Sequence, residues 1–232
     1  GVVEVAYEAA RRAVPAHRHK LSPKKFTQPQ LLACLVLKEF LRLDNRSLAD
    51  HADLRDQIEL EAVPHFTTFQ KAAQRLLASV SGRRMFDAVH ERAAEDRTRK
   101  RRVPLAAVDG TGMEPRHVSR YYAERRSARD VDPVRTYAHH PKVVFVVDCK
   151  SHMILSAVPG HGPASDLVQF GRAWTRAVRH ARIDTLLADA DFDAERVHRA
   201  VRSHGVRTNI PPPRGRPTDK PPSGRWRRVM KQ

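Results

Sequence analysis

Two carboxylates in this sequence of 232 residues stand where apolar runs end. Asp109 follows Leu105-Ala106-Ala107-Val108, and Asp189 follows Thr185-Leu186-Leu187-Ala188. In α/β sheets ligands gather at the carboxyl ends of strands, so both positions are candidates for chemistry. They lie 80 residues apart (109 to 189), and only a fold brings them together. Paired carboxylates repel, and a hard divalent cation relieves the repulsion. Mg²⁺ is typically held by one or two carboxylates with water and phosphate oxygens. Two such ions activate a nucleophile and stabilise the leaving oxygen in phosphodiester chemistry. The same residues also suit turns, because Asp-Gly is a turn former and Asp at a strand end often caps the next helix. Asp148 and Asp191 compete for the role. A hairpin loop follows Asp148, which predicts a turn function, and Asp193 is placed to cap a helix beginning at Ala194.

The elements that must position these residues fall into two halves. Residues 1–100 read as helical. Leu31, Leu32, Leu35, Val36, Phe40 and Leu43 recur at helical spacing over 28–43. Asp44-Asn45 breaks that pattern, and Ser47 is expected to cap a short helix carrying Leu48, Ala49, Ala52 and Leu54. Thr67 with Gln70 reads as a capping box ahead of Ala72, Ala73, Leu76 and Leu77. A further helix is expected over 83–97. Five cations in the six residues 97–102, followed by Pro104, mark the boundary. Beyond it come short apolar runs: a strand at 105–108, a hairpin from 143–147 and 153–158, and a helix capped by Ser165. Then follow a strand at 185–188, a helix at 194–204 stopped by Gly205, and a strand at 206–210. The arginine-rich stretch 113–141 carries no clear periodicity. This order predicts an α/β domain with a mixed sheet, its last crossover helix joining two parallel strands.

Composition narrows the partner. Lys and Arg total 43 against 26 acids, giving a formal charge of +17. Such an excess suits a protein that meets a polyanion. Residues 207–232 hold six arginines and two lysines against Asp219, with six prolines at 211–222, and read as extended and mobile. Trp226 between Arg225 and Arg227 suits either base stacking or packing. A helix-turn-helix over 31–54 is disfavoured by Asp50, Asp53 and Asp56. The helix at 68–77, bearing Lys71 and Arg75, is the better DNA-facing candidate. Cys34 and Cys149 are too few for a disulfide framework and read as small buried residues. His17 with His19, and His139 with His140, lack a matching pair at zinc spacing. The longest apolar stretch, 31–36, is far short of a membrane span, and charges at Glu4, Glu8, Arg11 and Arg12 break any secretory signal. A soluble intracellular protein facing nucleic acid is expected.

The residues also resemble a family. Ala107-Val108-Asp109-Gly110-Thr111-Gly112 is similar to the first-aspartate strand of the DDE transposases of prokaryotic insertion sequences. Leu187-Ala188-Asp189-Ala190-Asp191-Phe192-Asp193-Ala194-Glu195 is similar to their second-aspartate motif, with Asp191 where that motif is usually small or Gly. Residues 160–166 resemble the family's turn into the helix between the aspartates. Residues 30–43, 46–49 and 63–69 look like its N-terminal helical region. The resemblance runs in order over 26–232.

The resemblance implies a ribonuclease H-like mixed sheet with flanking helices over 101–232, preceded by an all-helical DNA-binding or assembly region over 1–100. It implies metal-dependent cleavage and strand transfer of transposon ends, with Asp109 and Asp189 catalytic and holding Mg²⁺ or Mn²⁺, two ions in the complete enzyme. No further cofactor is expected. The expected partners are double-stranded DNA, both transposon ends and target, and a second copy in a homodimer on DNA, in the prokaryotic cytoplasm at the nucleoid. The family's third acid is a glutamate on a helix beyond the last strand. Glu195, which directly follows the second motif, is the last glutamate here. The expectation is therefore a fragment, incomplete at its C-terminal edge and inactive alone. The alternatives are a metal-dependent nuclease of the same fold without strand transfer, and a DNA-binding remnant without catalysis.

Overall fold

A computed structural model of the chain describes residues 1–50, 58–77, 80–96, 101–112, 140–162, 164–212 and 223–230. The rest of the expected helix at 51–54, residues 97–100 of the basic run, the arginine-rich 113–139 and the proline-rich 213–222 lie outside them. The chain divides into two units, Gly1–Arg99 and Lys100–Gln232.

All elements described in the first unit are helices: α1 (Val2–Ala13), α2 (Gln28–Leu41), α3 (Asn45–Ala49), α4 (Phe66–Leu77) and α5 (Ser81–Glu95). Helix α1 lies against α2 and α5, and α4 against α2 and α3. Its buried face is Val3, Ala6, Ala9, Ala10 and Ala13, small residues that let the axes approach. Leu31, Leu32, Leu35, Leu48 and Phe69 fill the centre. Burying each such large side chain stabilises by about 1.5–3 kcal/mol.

Helix starts differ from the sequence expectation in ways that side-chain reach explains. Thr27 and Gln30 form the capping box of α2, with Gln30 N donating to Thr27 Oγ1 at 3.3 Å and Thr27 N to Gln30 Oε1 at 2.9 Å. The cap of α3 is Asp44 rather than Ser47. Its Oδ1 accepts from Arg46 N at 2.9 Å and Ser47 N at 2.7 Å, and these bonds hold the carboxyl below its ordinary value. Helix α4 starts at Phe66, so Thr67 sits within the first turn instead of capping it. There Thr67 Oγ1 meets His65 Nδ1 at 2.9 Å.

The second unit contains β1 (Arg102–Val103), β2 (Ala106–Gly112), β3 (His140–Asp148), β4 (Ile154–Gly162), α6 (Leu167–His180), β5 (Arg182–Ile183), β6 (Thr185–Leu187), α7 (Glu195–Arg202), β7 (Arg207–Asn209) and α8 (Arg225–Met230). Five strands form one sheet in the order β4-β3-β2-β6-β7. The β4/β3 and β3/β2 pairs are antiparallel, and the β2/β6 and β6/β7 pairs are parallel. This is a mixed sheet with flanking helices, as the resemblance implied. Helix α6 packs on β3 and β4 and α7 on β7. Phe170, Trp174 and Phe192 meet beneath them. Phe170 stacks on Trp174 at 6.4 Å and meets Phe192 edge-on at 5.9 Å. Gly205, at φ 73°, makes the left-handed turn that ends the α7 segment.

Residues 223–230 depart from the expected extended tail. Helix α8 docks on α7 because α7 supplies its anchors. Glu195 accepts from Trp226 N at 3.2 Å and Arg227 N at 3.3 Å, satisfying the free amides of its first turn. The Arg202 guanidinium covers the Trp226 ring at 4.2 Å, so this tryptophan packs within the fold. No helix among the described residues is long and apolar enough to cross a membrane.

Candidate active site

One ladder sets the geometry of the two aspartates. Strand β1 pairs with β5 in parallel, Arg102 opposite Arg182 and Val103 opposite Ile183. Strand β2 continues against β6, Ala106 opposite Leu186 and Ala107 opposite Leu187. Each pair is offset by 80 residues (102 to 182, 106 to 186), the separation of Asp109 from Asp189. Carried two residues past the last paired positions, this register runs from Asp109 on β2 toward Asp189, which lies beyond the end of β6 at Leu187. Each lies two residues beyond the paired Ala107 and Leu187, one side-chain repeat along a strand. The backbone of Asp189 stays extended at φ −77°, ψ 177°. Both residues are exposed.

Asp109 lies inside a strand, not after one. Strand β2 runs on through Asp109-Gly110-Thr111-Gly112 because β3 extends to His140 and pairs with the whole segment, Asp109 opposite Phe145 and Gly112 opposite Lys142. Ladder hydrogen bonds override the turn propensity of Asp-Gly. Only the β2/β6 side is open there, since β6 ends at Leu187. Asp109 Oδ1 accepts from Gly110 N at 2.7 Å, and Asp189 Oδ1 accepts from Asp191 N at 3.1 Å as the cap of a 3-10 turn at Ala190–Phe192. Both the sheet position and the capping role expected for Asp189 thus coexist. Among the described residues, no hydrogen bond engages the Oδ2 atom of either acid.

Two exposed carboxylates with free oxygens suit a hard cation that keeps its remaining contacts to water and phosphate, as Mg²⁺ does. No group of three or more His, Cys, Asp or Glu side chains is arranged to hold a metal among the described residues.

The competing acids have other partners. Asp148 closes the β3–β4 turn, accepting from Ser151 Oγ at 2.6 Å and Lys150 N at 2.9 Å. It pairs with Ala106, the first residue of β2, while Asp109 pairs with Phe145 at its middle. Asp191 is an exposed residue of the 3-10 turn. Asp193 does not cap α7, whose first position follows Ala194 without a side-chain cap bond. It is instead buried, taking His198 Nε2 at 3.0 Å and Arg227 Nε at 2.9 Å. Cys34 is buried and its thiol is pushed up to about 12 by desolvation. Cys149 is half-buried, and burial together with Asp148 raises its thiol.

Sequence reasoning missed one contact beside the site. The Asp166 carboxylate occupies the space that a Cβ on Gly110 would need, so any side chain at position 110 would have to displace it. Lys142 Nζ, on β3, forms an ion pair with Asp166 Oδ1 at 2.7 Å. Gly160 on β4 leaves room in the same way for the Gln169 side chain. The first turn of α6 is thus fitted onto two glycine positions of the sheet. The glycines in 110 and 160 were the available signal, but nothing local named their partners.

Comparison with known proteins follows from these residues. A family model described as Transposase DDE domain matches residues 87–232, more than half of the chain. The search of curated proteins gives no match. Among solved structures the chain is similar to the piggyBac transposase synaptic complex with hairpin DNA, at 10% identity and a TM-score of 0.40, over 90% of this chain and 47% of that one. It is also similar to a simian T-cell lymphotropic virus intasome in complex with PP2A regulatory subunit B56 gamma, at 12% identity and a TM-score of 0.31, over 76% of this chain and 51% of that one. The chain spans about half the length of each. With Asp109 and Asp189 both inside the matched span, the chain belongs to the transposase DDE domain family.

Proposed function

We propose that this chain carries part of the phosphodiester-cleaving and strand-joining centre of a DNA transposase, with Asp109 and Asp189 as the two acids it supplies. The single observation that supports this reading is the constant 80-residue register of the paired strands, which directs the segments bearing both acids toward the same end of the β2/β6 pair. A divalent ion bound there would lower the cost of charge developing on the attacking and leaving oxygens. The protein's own work is positioning. Strand β2, paired on both sides at its base, fixes Asp109, and the 3-10 turn fixes Asp189 through the Asp191 amide. Each acid holds one oxygen to the main chain and presents the other, so little side-chain freedom remains to be lost on binding. Duplex DNA is the proposed substrate, in keeping with the +17 charge.

Mn²⁺ titration of the full chain tests the reading. Asp109→Ala and Asp189→Ala should each weaken binding at least about tenfold, or 1.4 kcal/mol, and Asp148→Ala should not. Wild-type uptake by both aspartate variants refutes it. Incubation with transposon-end DNA then separates the classes of activity. Cleavage without joining indicates a nuclease of the same fold. Salt-sensitive DNA binding with no cleavage, indifferent to both variants, indicates a DNA-binding remnant.

A further inference from the structure

Far along the chain from the aspartates, the first unit holds a strongly basic concavity. It is a cavity of about 340 Å³ lined by the connection between α1 and α2 and by residues of α4. His17, Arg18, Lys25 and Arg75 face it, and no carboxylate does. The sequence explains the imbalance: no acid occurs between Glu8 and Glu39, while Arg11, Arg12, Arg18, Lys20, Lys24, Lys25 and Lys38 all do. A second cavity of the same unit makes the contrast. There Arg12 pairs with Glu95, and Arg92 pairs with Glu8 and Asp96. Arg12 and Arg92 are therefore neutralised, and Arg11, which also lines that cavity, shares it with Glu8. Arg18, Lys25 and Arg75 have no ion pair among the described residues.

The wall is fixed rather than loose. Gln28 N donates to Ala16 O at 2.8 Å and Gln28 Nε2 to Pro15 O at 2.9 Å. Ser22 N donates to His19 O at 2.9 Å, and His19 N donates back to Ser22 Oγ at 3.0 Å. These bonds brace the connection that carries Arg18 and Lys25, and an anion would relieve the repulsion among these exposed cations. Phe26, with Lys25 Nζ 5.6 Å from its ring centroid, adds an apolar wall.

We infer that this cavity is a phosphate site that grips the backbone of a DNA strand, with Phe26 against the sugar. That the polyanion is DNA rests on the transposase reading; the site itself lies in the other unit from the aspartates. Phosphate contacts position a duplex without reading its bases. Each phosphate neutralised adds about 0.9 to the slope of log affinity against log salt.

The test measures binding of the full chain to labelled duplexes of two unrelated sequences, by fluorescence anisotropy between about 50 and 200 mM KCl. Removing three cavity cations (Arg18→Ala, Lys25→Ala, Arg75→Ala together) should flatten the slope by about 2–3, equally for both sequences. A charge-matched control, Arg172→Ala with Arg179→Ala and Arg196→Ala on exposed positions of the other unit, should change it by less than half as much. Equal flattening in both triples, or none in the cavity triple, overturns the inference. So does inorganic phosphate binding that the cavity triple abolishes while its DNA slope stays at the wild-type value, which makes this a site for free anions. Thermal melting checks folding, and glutamine versions of the three substitutions replace alanine if the first triple unfolds. Mn²⁺ titration at Asp109 and Asp189 reads the catalytic proposal separately, so either can fail alone.

Discussion

Asp193→Ala should be among the most destabilising single substitutions in the second unit, and its size can be worked from the contacts. The Asp193 side chain is 4% exposed and bridges two groups of different burial. His198 is 0% exposed and sits 3.0 Å away through Nε2. A carboxylate only accepts, so Nε2 carries the proton, and Nδ1 faces Thr208 Oγ1 at 2.9 Å. Without Asp193 that buried N–H has no acceptor, a loss of about 1–3 kcal/mol. Arg227 is 24% exposed and rehydrates, so its lost pair costs about 1 kcal/mol or less. The sum is about 1–4 kcal/mol, its upper end overlapping the 3–5 kcal/mol of a fully buried broken pair. For a unit of this length it corresponds to roughly 3–12 °C in Tm. Urea unfolding followed by tryptophan fluorescence measures it, because Trp174 and Trp226, the chain's two tryptophans, both report on this unit. A Trp226→Phe background isolates the core signal of Trp174. Arg227→Ala should cost about 1 kcal/mol, and the double variant should show coupling near that value. If Asp193→Ala unfolds within about 0.5 kcal/mol of the parent, the network contributes nothing and the reasoning fails.

Two further outcomes follow from the sheet. Gly110→Ala should destabilise by about 1–3 kcal/mol, because its methyl meets a carboxylate held by Lys142. Asp166→Ala should remove most of that penalty, and an additive double variant refutes the contact. Asp148 gives a pH dependence. Burial raises its carboxyl, but the Ser151 hydroxyl and the Lys150 and Ser151 amides outweigh that and lower it. A carboxyl depressed by folding contributes stability that is fully present above its unfolded value near 3.9 and is lost as pH falls below it. Asp148→Asn should therefore flatten the acid limb of urea midpoints below about pH 4 and leave the limb above it parallel. An unchanged acid limb counts against the turn's hydrogen bonds.

Much of the chain was readable from one dimension. The 3.6-residue spacing of Leu31, Leu32 and Leu35 marks a helix because one face of that segment must leave water, whatever it packs on. The β-branched run 143–147 marks a strand for a similar local reason, and Asp109 and Asp189 could be singled out because both end apolar runs. Strand length was not readable, since β2 continues past Val108 only because β3 offers partners as far as Lys142. Nor was the role of Asp193. Local propensity favours a cap, but a histidine one turn on and an arginine 34 residues away together bind the carboxylate more strongly than the first amides of α7 would.

Residue types and their periodicity, then, settled which segments are helix or strand, where the charge lies and which two acids deserve testing. All of that follows from each segment's own exchange with water. The tertiary structure decided the 80-residue register of β2 against β6, the seating of Asp166 on Gly110 and the docking of α8 through Asp193 and Glu195. These depend on groups tens of residues apart meeting at hydrogen-bond range, and no local preference encodes a distance.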